Sequence, residues 1–231
     1  MTEDVSMDSS EGCTLREHRI DPARPTAEAI TLATEILTQG GILAFPTDTV
    51  YGLSVDPRRE ESLLALQRLK RRSLGHRFPF IAADDSQAAL LVSLLEPTAR
   101  RLTQRFWPGP LTLVLPLTGR SRLAPWEWGA SLAIRVPQAA VARDLAREAG
   151  VPLPATSANL SGQTPATEPS QIPSEIRKGL DLILDGGRLP PSLPSTVLDL
   201  TGPIPRLLRP GPISIETLSE VLGVGVALRR D

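Results

Sequence analysis

The apolar positions of this chain change period many times, and each change marks an element. Helical spacing begins near Thr26 and ends at Gly40-Gly41, a normal helix stop. The stretch "GILAFPTDTVYGL", residues 41–53, then breaks that period. Ile42 to Phe45 is a short continuous apolar run that reads as a buried strand, and Pro46, Thr47, Asp48, Thr49 and Tyr51 crowd its end. Helical spacing returns over 60–71, with Leu63, Leu66 and Leu69 on one face, and again over 86–95, 97–106, 138–149 and 214–222. Short apolar runs bounded by proline or glycine predict strands at 111–115, 132–136, 182–184, 196–200 and 204–208. Helices and strands intermix throughout, so the expected class is α/β, a sheet with helices against it. No internal repeat interrupts the pattern, and the 23 prolines fall mostly between elements.

Composition narrows the class without naming the chemistry. The 231 residues suit one domain, and 41% hydrophobic with 22% charged residues is ordinary for a soluble protein. Residues 1–25 are polar, acidic and unpatterned, which predicts a flexible extension; residues 26–223 carry the pattern, and 224–231 form a tail. The single cysteine, Cys13, allows no internal disulfide or cysteine cluster, so a reducing cytoplasm is expected. No apolar run approaches ~18 residues, so no membrane span is expected, and no signal peptide is visible. The net charge of −1 hides an asymmetry: residues 1–28 hold seven acids and three arginines, leaving 22 basic against 19 acidic groups elsewhere. Only Lys70 and Lys178 are lysines. Arginine, the base used elsewhere, offers a planar fork that fits phosphate and carboxylate.

Several chemistries lose their footing. The sequence has no Walker-type phosphate loop and no dinucleotide-binding glycine pattern, and its two histidines, His18 and His76, belong to no zinc motif. No nucleophile elbow lies near His76. What remains is chemistry by positioning and positive charge, as in phosphate transfer between bound substrates. Seven short polar clusters are candidates. Beside "PTDTVYG" they are "LKRRSLGHR" at 69–77, "FWPGPLT" at 106–112, "SLAIRVP" at 131–137, "ATSANLSG" at 155–162, "PSTVLDL" at 194–200 and "LLRPG" at 207–211. Each has a plain structural reading beside the functional one. Lys70 and Arg72 sit at a helix end, either solvated or reaching a polyphosphate. Pro108-Gly109-Pro110 is a rigid turn. Arg135, inside an apolar run, needs an anion, from an internal salt bridge or from a substrate.

Taken in order, these clusters resemble the YrdC-domain threonylcarbamoyl-AMP synthases from about Thr26 to Gly223, through "PTDTVYGL", "K-x-R", "PGPLT", "R-V-P", "SANLSG", "STVLD" and "R-P-G". The resemblance implies a YrdC-like twisted mixed sheet with a large concave, positively charged cavity. It implies condensation of L-threonine, bicarbonate and ATP to threonylcarbamoyl-AMP and pyrophosphate, with Mg²⁺ arriving on ATP and no structural metal. A downstream tRNA threonylcarbamoyl transferase complex would consume the product. By the same resemblance the strand end at 46–51 is a wall of the threonine pocket, where Thr49, Arg135, Ser157 and Ser195 contact threonine. Arg72, Ser131, Asn159, Thr167 and Arg209 meet ATP, and Lys70 with Arg72 carries the phosphate chemistry. Three departures stand out: Ser73 and Arg77 replace prolines, His76 replaces an asparagine, and Ile81 stands where some members have histidine. The alternative is a module of the same fold that binds tRNA or double-stranded RNA without making an adenylate. Its basic excess is small for that role.

Overall fold

The computed structural model describes residues 15–71, 77–94, 96–119, 123–124 and 128–228. Its strands are β1 (Arg16–Arg19), β2 (Leu43–Pro46), β3 (Tyr51–Ser54), β4 (Phe80–Ile81), β5 (Leu111–Pro116) and β6 (Ser131–Arg135). They continue as β7 (Leu153–Pro154), β8 (Thr156–Ser157), β9 (Leu182–Asp185), β10 (Thr196–Asp199), β11 (Arg206–Arg209) and β12 (Ala227–Leu228). The helices are α1 (Ala27–Thr38), α2 (Glu60–Leu69), α3 (Asp85–Ala88), α4 (Pro97–Phe106), α5 (Ala140–Ala149), α6 (Ser174–Arg177) and α7 (Ile215–Leu222). Two mixed sheets result, one in the order β1-β9-β2-β3-β8 and one in the order β12-β11-β10-β5-β6-β4-β7.

Strand periodicity explains the layering. In β2 and β9, Leu43, Phe45, Leu182 and Leu184 face one apolar cluster, while Ala44 and Ile183 face the other. The first cluster is completed by α1, through Ile30, Ala33 and Leu37, and by α5, through Val141, Leu145 and Ala146. Thr26 starts α1 by accepting from the Ala29 amide at 3.3 Å, and Gly150 closes α5 in the left-handed conformation. In the second sheet Leu111, Leu113 and Leu115 of β5, with Leu132 and Ile134 of β6, turn into the larger core. Their alternate neighbours are left for the cavity described below.

The structure moves several expected boundaries. The extension does not run unpaired to residue 25: Arg16–Arg19 lies parallel to β9, in register from Arg16↔Leu182 to Arg19↔Asp185. All four side chains of β1 are exposed, so the ladder is a main-chain affair that apolar spacing cannot reveal. The C-terminal segment likewise adds β12 beside β11. The helix expected over 86–95 is cut to Asp85–Ala88, and Val92 instead bridges to Leu117 at the sheet. The strand expected at 204–208 starts at Arg206, because Pro203 and Pro205 carry no N–H and Ile204 is left exposed in the turn. Among the described residues no helix is long and apolar enough to cross a membrane.

Candidate active site

A cavity of about 500 Å³ is lined from both sheets. Its floor is the second face of the alternation already seen. Thr112 and Val114 of β5, Ser131, Ala133 and Arg135 of β6, and Val197 of β10 all point into it. The β2–β3 turn brings Thr47 and Thr49, β8 brings Ser157, and the segments around β10 and β11 bring Ser195 and Arg209.

Each wall is held by its own hydrogen bonds. In the β2–β3 turn, Thr47 Oγ1 donates to the Val50 carbonyl at 2.7 Å and accepts from the amides of Thr49 and Val50 at 3.1 and 3.2 Å. Its proton is therefore committed, which leaves Thr49 as the donor in their 3.2 Å hydroxyl contact. Tyr51 takes no part in the cavity. Its phenol donates to the Gly187 carbonyl at 2.8 Å and accepts from the Gly186 amide at 3.0 Å, and burial pushes its pKa up to about 12. The sole tyrosine is thus a neutral strut behind the strand end, which corrects the expectation that the whole 46–51 segment forms the wall.

Arg135 finds its anion within the chain. Its Nη1 donates to Asp48 Oδ2 at 3.1 Å, with the two side chains only 10% and 15% exposed. Asp48 Oδ1 is sealed from solvent without a hydrogen-bond partner. The pairing is end-on, through one nitrogen, so Arg135 still has donors for the cavity that it lines. The internal ion pair is therefore present, and the same side chain lines the cavity.

Arg209 is the second cation on this surface. Its Nε donates to the Ser195 carbonyl and its Nη2 to Ser195 Oγ, both at 3.0 Å, and Ser195 Oγ lies 2.8 Å from Thr112 Oγ1. Burial first, and then the charge of Arg135, lowers the pKa of the Arg209 guanidinium. Two cations that feel one another in a partly dry cavity favour an anionic occupant. The glycine of "R-P-G" is required by packing: a Cβ at Gly211 would stand 2.4 Å from the Thr196 amide nitrogen. Thr196 Oγ1 meanwhile donates to the Ile213 carbonyl and accepts from the Ile213 amide, both at 3.0 Å, which fixes the strand that presents Ser195. The "PGPLT" turn acts at one remove. Gly109 accepts no Cβ, since one would meet the Phe106 carbonyl oxygen at 2.4 Å, and the turn feeds Thr112 into the floor.

Of the residues singled out from the sequence, Thr49, Ser131, Arg135, Ser157, Ser195 and Arg209 line one cavity. Lys70, Asn159 and Thr167 do not. Thr167 binds Gln171 Oε1 through both its amide and its hydroxyl at 2.9 Å. Asn159 is buried, with Nδ2 donating to the carbonyls of Leu160 and Gln163 at 3.0 and 2.6 Å and Oδ1 accepting from Ser157 Oγ and Lys70. Its side-chain amide is thus engaged inside the loop. Arg72 and His76 lie outside the described residues. Ile81 lines the cavity as an apolar side chain. Thr47, Asp48, Arg77 and Thr112 stand inside the candidate clusters, but sequence reasoning gives none of them an individual substrate contact. Thr112 carries a usable signal, a hydroxyl at the outward position of an alternating strand; Asp48 stands in the quoted stretch, but its partner is 87 residues away. Among the described residues no group of three His, Cys, Asp or Glu side chains is placed to hold a metal ion.

Comparison with known proteins agrees with this architecture. The family model Sua5/YciO/YrdC, described as "Telomere recombination", matches residues 35–211. Threonylcarbamoyl-AMP synthase of Bacillus subtilis is 36% identical over 196 residues, which is 84% of this chain and 56% of that one. The enzyme of the same name from Nitrosococcus oceani is 37% identical over 159 residues, covering 68% and 85%. A Mycobacterium tuberculosis relative is 34% identical over 204 residues, covering 87% and 92%. The chain therefore spans nine-tenths of some relatives and little more than half of others. Among solved structures, Pyrococcus abyssi Sua5 complexed with L-threonine superposes with a TM-score of 0.81 at 31% identity, over 92% of this chain and 62% of that one. Escherichia coli YciO superposes with a TM-score of 0.79 at 28% identity, over 89% and 100%. The fold, the order of its polar clusters and these matches together place the chain in the Sua5/YciO/YrdC family.

Proposed function

We propose that this chain is an L-threonylcarbamoyladenylate synthase, a nucleotidyltransferase that makes threonylcarbamoyl-AMP and pyrophosphate from L-threonine, bicarbonate and ATP. The observation that carries the reading is the pair Arg135 and Arg209 on one cavity surface, ringed by the hydroxyls of Thr49, Ser131, Ser157 and Ser195. The relatives' names and the threonine-bound Sua5 structure support it.

The chemistry matches what the cavity offers. Bicarbonate, once protonated, loses water to give CO₂, and the threonine amine adds to that CO₂ and loses a proton to give a carbamate. A carbamate oxygen then attacks the α-phosphorus of ATP, the α–β bridging bond breaks, and pyrophosphate leaves. None of these steps needs a protein nucleophile, and the described cavity lining supplies no cysteine or histidine. They need in-line placement and positive charge where the leaving group gathers its negative charge. Arg135 takes the threonine carboxylate with the donors that Asp48 leaves free. Ser157 gives its own proton to Asn159 Oδ1 at 2.5 Å, so it presents lone pairs to the substrate. Arg209 and Ser131 serve the nucleotide, joined by Arg72 from the segment that follows α2. Mg²⁺ enters as part of the ATP substrate. The product would pass to a tRNA threonylcarbamoyl transferase in the cytoplasm. A cavity of about 500 Å³ suits small substrates and not a duplex, which weighs against the RNA-binding alternative.

The test is to incubate the protein with threonine, bicarbonate and MgATP and to measure pyrophosphate and the adenylate. Valine in place of threonine should lower kcat/KM by on the order of 10⁴–10⁵, because a site built to bond a hydroxyl is left with unpaired groups. Pyrophosphate release at equal rates with both amino acids would remove the threonine assignment. Salt-sensitive tRNA binding without turnover would favour the RNA-binding module.

A further inference from the structure

Lys70 is fully buried, at 0% exposure, and yet stands outside the cavity lining. It caps α2, and its ammonium donates to the main-chain carbonyls of Ser157 and Asn159 and to Asn159 Oδ1, the last at 3.0 Å. All three of these acceptors, two carbonyls and one amide oxygen, belong to one loop. The loop closes around this cation in the other direction too, because Ser161 Oγ donates to the Lys70 carbonyl at 2.9 Å. The same Asn159 Oδ1 that meets Lys70 also accepts the Ser157 hydroxyl at 2.5 Å, and Ser157 lines the cavity. A continuous chain of bonds thus runs from the end of α2 through Asn159 to a cavity hydroxyl.

Resting on the function read above, we propose that Lys70 is a positioning residue for the amino-acid side of the reaction: it sets the Ser157 loop and does not touch a phosphate. The physical reason is the cost of taking the cation away. Three oxygens turned toward one buried point would lose their donors, and unpaired buried acceptors are expensive enough to rearrange a loop. Ser157 would move with that loop, and displacements of about 1 Å are known to cost on the order of 100-fold in rate. The nucleotide-side residues Arg209 and Ser131 lie on other strands and would keep their places.

The experiment compares Lys70→Met with the wild-type protein in two readouts. In kinetics, KM for threonine should rise by about 10-fold or more with KM for ATP within about 2-fold, since only the loop is disturbed. The threonine effects of Lys70→Met and Ser157→Ala should be strongly non-additive, because one acts through the other. A raised ATP KM with an unchanged threonine KM would make Lys70 a phosphate ligand and overturn the proposal. If Lys70→Met does not fold, Asn159→Ala removes one of the three acceptors and must give the same split; an unchanged threonine KM there overturns it equally. The second readout is amide hydrogen exchange, which needs no turnover. Exchange at 157–161 should accelerate in the variant, and unchanged protection would sink the clamp. A wild-type protein that makes no adenylate would refute the function reading, and the exchange result would still decide the role of Lys70.

Discussion

Arg135→Ala should raise the threonine KM by about 100-fold and lower Tm by about 6–12 °C in the same protein. The two effects have one origin. The guanidinium lines the cavity and also holds Asp48 Oδ2 at 3.1 Å, and the other oxygen of Asp48 has neither solvent nor a hydrogen-bond donor. Truncation therefore removes the cation that meets the substrate carboxylate and strands a carboxylate in a mostly dry site. The second loss is worth about 3 kcal/mol, which is several degrees for a chain of this size. Arg135→Lys separates the two. A lysine keeps a charge for Asp48 but not the planar fork that grips a carboxylate on two prongs, so it should recover most of the Tm and little of the KM. Asp48→Asn is the reciprocal control, since it removes the buried charge and leaves the fork. The measurements are thermal melts and initial rates at saturating ATP with threonine varied. A collapsed melting temperature beside an unchanged threonine KM would make Arg135 purely structural.

Legibility in the sequence follows the kind of signal each feature leaves. The strands β5 and β6 are readable because five apolar residues, Leu111, Leu113, Leu115, Leu132 and Ile134, turn to the core from positions two apart. That same period assigns the opposite face, so alternation alone sets Ser131 and Arg135 on the side away from the core. The strands β3 and β8 leave no such trace because Gly52, Ser54 and Ser157 dilute their apolar content, and strands this short are held by their partners more than by their own side chains. For β1, "REHR" contains nothing that a burial pattern can detect. The ionic partners are illegible for a different reason. Arg135 and Asp48 are 87 residues apart, and Lys70 and Asn159 are 89 apart. Sequence can show that a cation inside apolar surroundings needs an acceptor; only the fold decides which one. For that reason the sequence leaves Lys70 at a helix end, either solvated or reaching a polyphosphate, and does not show the three loop oxygens that its ammonium meets.

Arg209→Ala should weaken both substrates at once, in contrast to a residue that only clamps phosphate. Two of its five N–H donors already hold the carbonyl and hydroxyl of Ser195, and Ser195 in turn lies 2.8 Å from Thr112 in the cavity floor. The remaining donors face an environment in which burial and the field of Arg135 already work against the charge, so an anion there is held strongly. Truncation should reduce kcat/KM for ATP by on the order of 10²–10³, the usual cost of removing a preorganised donor from developing charge. It should also raise the threonine KM by about 10-fold, because Ser195 loses the two bonds that orient it. Ser195→Ala alone should reproduce the threonine effect and leave the ATP KM within about 2-fold. In the double variant the threonine losses should not add, whereas the ATP loss of Arg209→Ala should persist in full. If Arg209→Ala keeps its ATP KM while losing threonine, the guanidinium serves only to orient Ser195, and the leaving pyrophosphate must be held by other cations of the cavity.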